Sequence, residues 1–164
     1  MKKLNNKGFS LVELIIVIAI MAILVGVVGT QVIPYLENSR KAKDQQILSA
    51  WNTAGVSAYS TEAGSLDATK TYTITIESGA SIKINASATP AAGSGDEKLL
   101  NTFKALTDIK SGFTFANDMS SKAGKHIDHV DVKINGMDGQ VVTTTTMNAT
   151  GIAAKESFDV IENK

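Results

Sequence analysis

The sequence contains no cysteine, only two prolines and few aromatic side chains in its 164 residues. The missing cysteine removes a disulfide scaffold, a thiolate zinc site and a cysteine nucleophile together. Charge of one sign is also lacking: lysine plus arginine and aspartate plus glutamate each number sixteen. With no basic excess, nucleic acid is not expected as the primary partner. No Ser-His-Asp order with a nucleophile turn, no glycine-rich phosphate loop and no convincing pair of catalytic carboxylates occurs. Neither enzyme activity nor a cofactor is therefore expected. The length suits one folded unit and argues against a multidomain machine or a long repeat array.

What is present is strongly segregated. Lys2, Lys3 and Lys7 precede any acid, and residues 9 to 164 then carry thirteen basic against sixteen acidic side chains. From Phe9 to Ile33 the chain reads FSLVELIIVIAIMAILVGVVGTQVI. That run exceeds the roughly 20 residues a helix needs to cross a bilayer. Its apolar residues fall on every face of a helix, which a core helix rarely shows. The lysine-rich start predicts a cytoplasmic N-terminus with the remainder outside, by the positive-inside bias. A secretory signal would have a shorter apolar core and a small-x-small cleavage site after it, and neither is found.

Glu13 interrupts this run. An acid in hydrocarbon costs a few kcal/mol unless it is paired or neutralised, and no Lys, Arg or His lies in the segment. A chain terminus, another molecule or water must meet it, unless the carboxylate sits close enough to the interface to reach headgroups.

Lys7-Gly8-Phe9-Ser10-Leu11-Val12-Glu13-Leu14 resembles the prepilin signature of type IV pilins and pseudopilins: a short basic leader ending in glycine, then Phe, with Glu at the fifth position after the cut. The resemblance covers the leader and the N-terminal helix, about a third of the chain. It implies cleavage between Gly8 and Phe9 by a membrane-embedded prepilin peptidase, N-methylation of Phe9, and polymerisation through the N-terminal helix with the help of inner-membrane assembly machinery. Glycine before the cut lets an extended backbone approach catalytic carboxylates closely. A methylated Phe9 amine stays cationic and could meet the Glu13 carboxylate of a neighbouring subunit inside an apolar fibre. The protein implied is a single-pass membrane precursor and then a subunit of an extracellular filament. A pseudopilin of type II secretion or DNA uptake is the alternative within the family, and a membrane-tethered binding domain the alternative outside it. The lack of cysteine resembles pilins of Gram-positive bacteria.

The expected division is a leader (1–8), a transmembrane and assembly helix (9–36) and a soluble head (37–164). Gly26, Gly29 and Pro34 mark the weak stretch of the helix, each glycine costing about 1 kcal/mol against alanine and the proline removing a backbone donor. Many pilins have a proline at what is Thr30 here, so the chain departs from the family at that position. Beyond Pro34, Ile47, Trp51, Ala54 and Ala58 make an apolar stripe widened by Leu48, Gly55 and Tyr59. Asn38, Gln45, Ser49, Asn52 and Ser60 form the opposite, wet face, and contact with the head is expected to begin around Ile47.

The head reads as α+β, a helix packed on a small antiparallel sheet. Tyr72–Ile76 and Ile82–Ile84 alternate as a hairpin. Asp96-Glu97 opens a helix through Ile109 with Leu99, Leu100, Phe103, Leu106 and Ile109 on its apolar face. Gly112–Phe115 is a short strand candidate, His129–Ile134 a clearer one, with a return strand through Val141, Thr143 and Thr145 after the 135–139 turn. Ser157–Ile161 could add a last strand. His126 and His129 stand among Asp128 and Asp131, but strand alternation puts His129, Asp131 and Lys133 on the polar face, so no metal site is expected. Asp131–Gly136 partly imitates a calcium loop with Lys133 where an oxygen ligand belongs. Asn85-Ala86-Ser87 and Asn148-Ala149-Thr150 match the glycosylation pattern by chance.

Overall fold

The computed structural model describes residues 9–163, and the leader with Gly8 lies outside them. The chain divides into two units, residues 1–38 and 39–164. Among the described residues of the first unit, helix α1 (Leu11–Glu62) supplies the regular structure, and it enters the second. A short 3₁₀ turn (Ala63–Ser65) ends it.

The second unit is built on five antiparallel strands: β1 (Thr71–Glu77), β2 (Ser81–Ile84), β3 (Ile127–Asn135), β4 (Val141–Met147) and β5 (Ile161–Glu162), in the order β2-β1-β3-β4-β5. Alternation sets the register. Ile74 faces Val132 and Ile76 faces Val130 on the inner side, while Thr75 faces Asp131 and Glu77 faces His129 on the outer side. A one-residue slip would turn all those isoleucines and valines to water, which pins the pairing. Against the inner side pack Leu48, Trp51, Ala54 and Ala58 of α1 and Leu99, Leu100 and Phe103 of α2 (Gly95–Thr107). Each such large side chain contributes roughly 1.5–3 kcal/mol of burial. Gly55 brings α1 against the sheet, because a Cβ there would lie 2.8 Å from a Val132 methyl.

Polar side chains fasten this packing at both ends of the contact. Asp44 is fully buried and accepts bonds from the Ser120 and Ser121 amides (2.9 and 2.8 Å) and the Ser121 hydroxyl (2.5 Å). The Ser121 hydroxyl in turn caps the one-turn α4 (Lys122–Lys125) through the Gly124 amide. Asn52, also buried, donates to the Val141 and Ile161 carbonyls and the Thr143 hydroxyl, tying α1 to β4 and β5. The Tyr59 hydroxyl donates to the Gly136 carbonyl at 2.8 Å. Asn52 thus leaves the wet face assigned to it, since it offers two donors to a sheet edge that apolar residues could not satisfy. Contact also begins a turn earlier than Ile47, at Asp44, with Lys41 over the Phe158 ring at 5.6 Å.

Four other expectations change. Gly112–Phe115 is no strand: Phe113 and Phe115 turn inward to stack edge-on with each other and with Trp51, at ring separations of 5.2 to 6.3 Å. The chain then enters the short helix α3 (Phe115–Asp118), whose Asp118 accepts the Thr114 amide. Helix α2 stops at Thr107, two residues before Ile109, because Asp108 takes a left-handed conformation (φ 47°). Leu106, expected on the apolar face, is exposed. Of the expected last strand Ser157–Ile161 only Ile161 pairs with β4, joined by Glu162 beyond it; ahead of this pair Gln45 donates to the Asp159 carbonyl, and after it the Asn163 side chain accepts from the Val141 amide. Short helices α4 and α5 (Ala149–Ala153) were not foreseen. Asn148 caps α5 through the Thr150 and Gly151 amides, and Asn85 (φ 47°) bonds the Thr73 amide and Asp96, so both asparagines of the glycosylation patterns have structural duties.

If Asp44 is the pin that joins α1 to the 120–125 segment, Asp44→Ala should destabilise the second unit by about 2–5 kcal/mol, since three donors lose their acceptor in a buried site. A Cβ at Gly124 would strike the same carboxylate. Gly124→Ala should therefore destabilise too, and the double variant should lose clearly less than the sum. Urea unfolding of the four proteins, followed through Trp51 fluorescence, measures both quantities.

Candidate functional site

The N-terminal segment carries the residues singled out by the sequence. Phe9 and Ser10 precede the helix and Phe9 is almost fully exposed, 91%. The first helical bond runs from the Leu14 amide to the Ser10 carbonyl, 3.2 Å. The Ser10 amide donates to Glu13 Oε2 at 2.9 Å. Ser10-x-x-Glu13 is thereby one half of a capping box, in which the acid three residues into the helix satisfies the amide of the capping residue. A carboxylate in the first turn also meets the positive end of the helix dipole. The sequence held this signal, a serine followed three residues later by glutamate, and reading Glu13 only as an intruder in an apolar run overlooks it.

From Leu11 to Leu36 the apolar side chains are exposed in this single chain, Ile15 by 51% and Val25 by 68%. Among the described residues, α1 is the one helix long and apolar enough to cross a membrane. Gly26 and Gly29 stand open, with nothing within 4 Å of where a Cβ would sit. The Thr30 hydroxyl donates back to the Gly26 and Val27 carbonyls at 3.3 and 3.2 Å. Four residues on, Pro34 lies inside the helix and has no amide to give the Thr30 carbonyl. The helix is nevertheless continuous through this stretch.

Chemistry in the second unit is confined to pairs. His126 Nδ1 lies 2.6 Å from Glu156, tying the C-terminal segment to the start of β3, while His129 Nδ1 lies 2.8 Å from Asp128 and its Nε2 4.0 Å from Asp131. The two histidines thus face different carboxylates. Among the described residues, no three His, Asp or Glu side chains converge to hold a metal. Asp131–Gly136 is mostly strand in register with β1, and Asp131 accepts the Thr75 hydroxyl at 2.7 Å. Next to it is a polar hollow of about 400 Å³ on the outer sheet face, lined by Thr73, Thr75, Glu77, Lys83 and Asn85. Its charges are already joined, Lys83 to Glu77 at 2.6 Å. A smaller cleft of about 240 Å³ is lined by Ile47, Trp51, Ile109 and Phe113 together with Asp108 and Asp118. Neither hollow brings a nucleophile and a base together. In the turn before β1, the Thr69 hydroxyl and amide hold the Asp67 carboxyl below its ordinary range, which is turn chemistry at an exposed site.

Comparison with known proteins adds one match. No curated protein and no solved structure matches the chain. Residues 3–29 match the family model of the prokaryotic N-terminal methylation motif. That motif is the prepilin-type cleavage and methylation signal, and it implies processing by a prepilin peptidase and assembly into pili. The apolar helix that follows fits a membrane-anchored precursor. The chain therefore carries the processing signal of type IV pilins at the head of an α+β, pilin-like architecture.

Proposed function

We propose that this protein is a structural subunit of a type IV pilus, held in the membrane as a prepilin and then polymerised through α1. The observation that carries the reading is the methylation motif at residues 3–29 running directly into a helix whose apolar side chains are exposed all round. Hydrolysis between Gly8 and Phe9 removes Lys2, Lys3 and Lys7 and leaves a new Phe9 amine, which remains cationic after methylation. In a fibre core of packed α1 helices that amine needs a counter-charge, and Glu13 is the one acid between Phe9 and Leu36. Pairing the Glu13 carboxylate with a neighbour's Phe9 amine sets the axial register as each subunit is added. Gly26, Gly29 and Pro34 make the stretch in which α1 can yield during assembly. Residues 37–164 form the soluble head, displayed on an extracellular filament of identical subunits. The motif family is structural, which supports the reading as a subunit.

Processing is tested at Gly8. A side chain there blocks close approach of the backbone to peptidase carboxylates, so Gly8→Asp should retain the leader and abolish filaments. Mass spectrometry of wild-type filaments should begin at methylated Phe9; subunits still carrying Met1–Gly8 would contradict the reading.

Assembly is tested at Glu13. Glu13→Val keeps the apolar run and the cleavage site but leaves a cationic amine unpaired, a loss of roughly 3–5 kcal/mol per truly buried contact. Electron microscopy should find surface filaments nearly absent in that strain. Normal filament numbers would mean that packing alone sets the register.

The division of the chain is tested by truncation. A fragment starting at Glu37 should be soluble and monomeric, with Trp51 still buried and a cooperative unfolding transition. Aggregation without such a transition would assign the first segment to the folded core.

A further inference from the structure

We infer that in the unassembled precursor the hydrocarbon-embedded part of α1 is Leu14–Pro34, with Ser10 and Glu13 in the cytoplasmic headgroup layer and Tyr35 in the outer one. This rests on the membrane reading above and adds the depth at which the helix sits. Two polar landmarks bound the segment. At its end stands Tyr35, exposed by 77% and followed by Glu37 and Asn38. A phenol at the end of an apolar helix belongs at the headgroup level, its ring against acyl chains and its hydroxyl in water. At its start stands Glu13. The 21 residues between the landmarks span about 31 Å at 1.5 Å per residue, against a hydrocarbon core of about 30 Å. Placing one landmark at an interface places the other at the opposite interface, with little tilt required.

The orientation of the Glu13 side chain decides between this register and one with the acid inside the core. Side chains on a helix lean toward its N-terminus, which for this chain is the cytoplasmic direction. The bond from the Ser10 amide to Glu13 Oε2 shows the carboxylate pointing that way, up to the level of the last non-helical residue. The end of the helix and its acid thus satisfy each other at the membrane surface, where water and lipid headgroups supply the remaining partners. Drawing Glu13 one turn into the core would take both the carboxylate and the unpaired amides of the first helical turn out of water, the costliest position for either. Gln31 is the other polar side chain of appreciable length in the segment and lies one turn from Tyr35, close to the outer boundary. The interior from Leu14 to Gly29 contains no polar side chain.

The absence of native cysteine makes the depth measurable residue by residue. Single variants Val12→Cys, Ile16→Cys, Val25→Cys, Val32→Cys and Leu36→Cys of the full-length precursor are placed in membranes without prepilin peptidase. Each is treated with a small, membrane-impermeant maleimide from either side, since a thiol in hydrocarbon forms no thiolate and does not react. Val12→Cys should label from the cytoplasmic side and Leu36→Cys from the outer side, with no labelling at residues 16, 25 and 32. Adding Glu13→Leu should move the protected block toward the N-terminus, so that Val12→Cys loses its labelling. Protection of Val12→Cys with Glu13 intact, while Val25→Cys is also protected, would overturn the register and leave the membrane reading standing. Labelling of Val25→Cys would overturn both, and an unmoved block in the Glu13→Leu background would deny Glu13 its part in setting the boundary.

Discussion

Everything in this molecule follows from a helix that must satisfy two solvents in turn. Up to Ile33, α1 is apolar on every face, so no position in water is stable for it. From Asp44 onward its buried residues fall on one face, and that face is covered by a sheet. The first part fits a membrane-anchored precursor, and in the proposed fibre it would meet other copies of itself. The second part specifies a fold. Near the end of the first part stand Gly26, Gly29 and Pro34, poor helix formers, where a change of surroundings costs the backbone least.

The docking of α1 in the head depends on a few polar contacts placed along an otherwise apolar stripe. Leu48, Trp51, Ala54 and Ala58 provide burial, which is non-directional. Asp44, Asn52 and Tyr59 provide direction, each bonded to a segment more than seventy residues away in sequence. Asp44 holds the 120–125 segment, Asn52 the β4–β5 edge and Tyr59 the turn after β3. Sliding or rotating α1 on the sheet would leave several buried donors and acceptors unpaired, at about 1–3 kcal/mol each.

Periodicity made the long helix, the β1–β2 hairpin and the β3–β4 pair legible, because alternation in Tyr72–Ile76, His129–Ile134 and Val141–Thr145 has one physical reading on a half-covered sheet. The prepilin signature was legible because its chemistry is local. What escaped was non-local. Asn52 looks like any wet-face asparagine until the Val141 and Ile161 carbonyls are brought beside it. Phe113 and Phe115 alternate as a strand would, yet a three-ring cluster with Trp51 claims them. Asp108 ends α2 by a left-handed turn that no glycine announces. Ser157–Ile161 resembles a strand, but of it only Ile161 pairs, and Asp159, Phe158 and Glu156 are tied by Gln45, Lys41 and His126.

Ser10 and Glu13 show how one carboxylate can serve both phases. An ionised carboxylate has about four lone-pair sites, and the Ser10 amide takes one of them. The cap therefore leaves room for a second, stronger partner. In the inferred membrane register that partner is water or a headgroup at the surface; in the proposed fibre it is a neighbour's Phe9 amine. Moving between the two exchanges one partner while the bond that starts the helix stays closed. An acid elsewhere in α1 would have no such bond, and would have to be desolvated before any cation reached it. Placed three residues from the capping serine, Glu13 would enter the proposed low-dielectric fibre already hydrogen-bonded and aimed toward its own end of the helix. That is the end at which the proposed cleavage would place a cationic terminus.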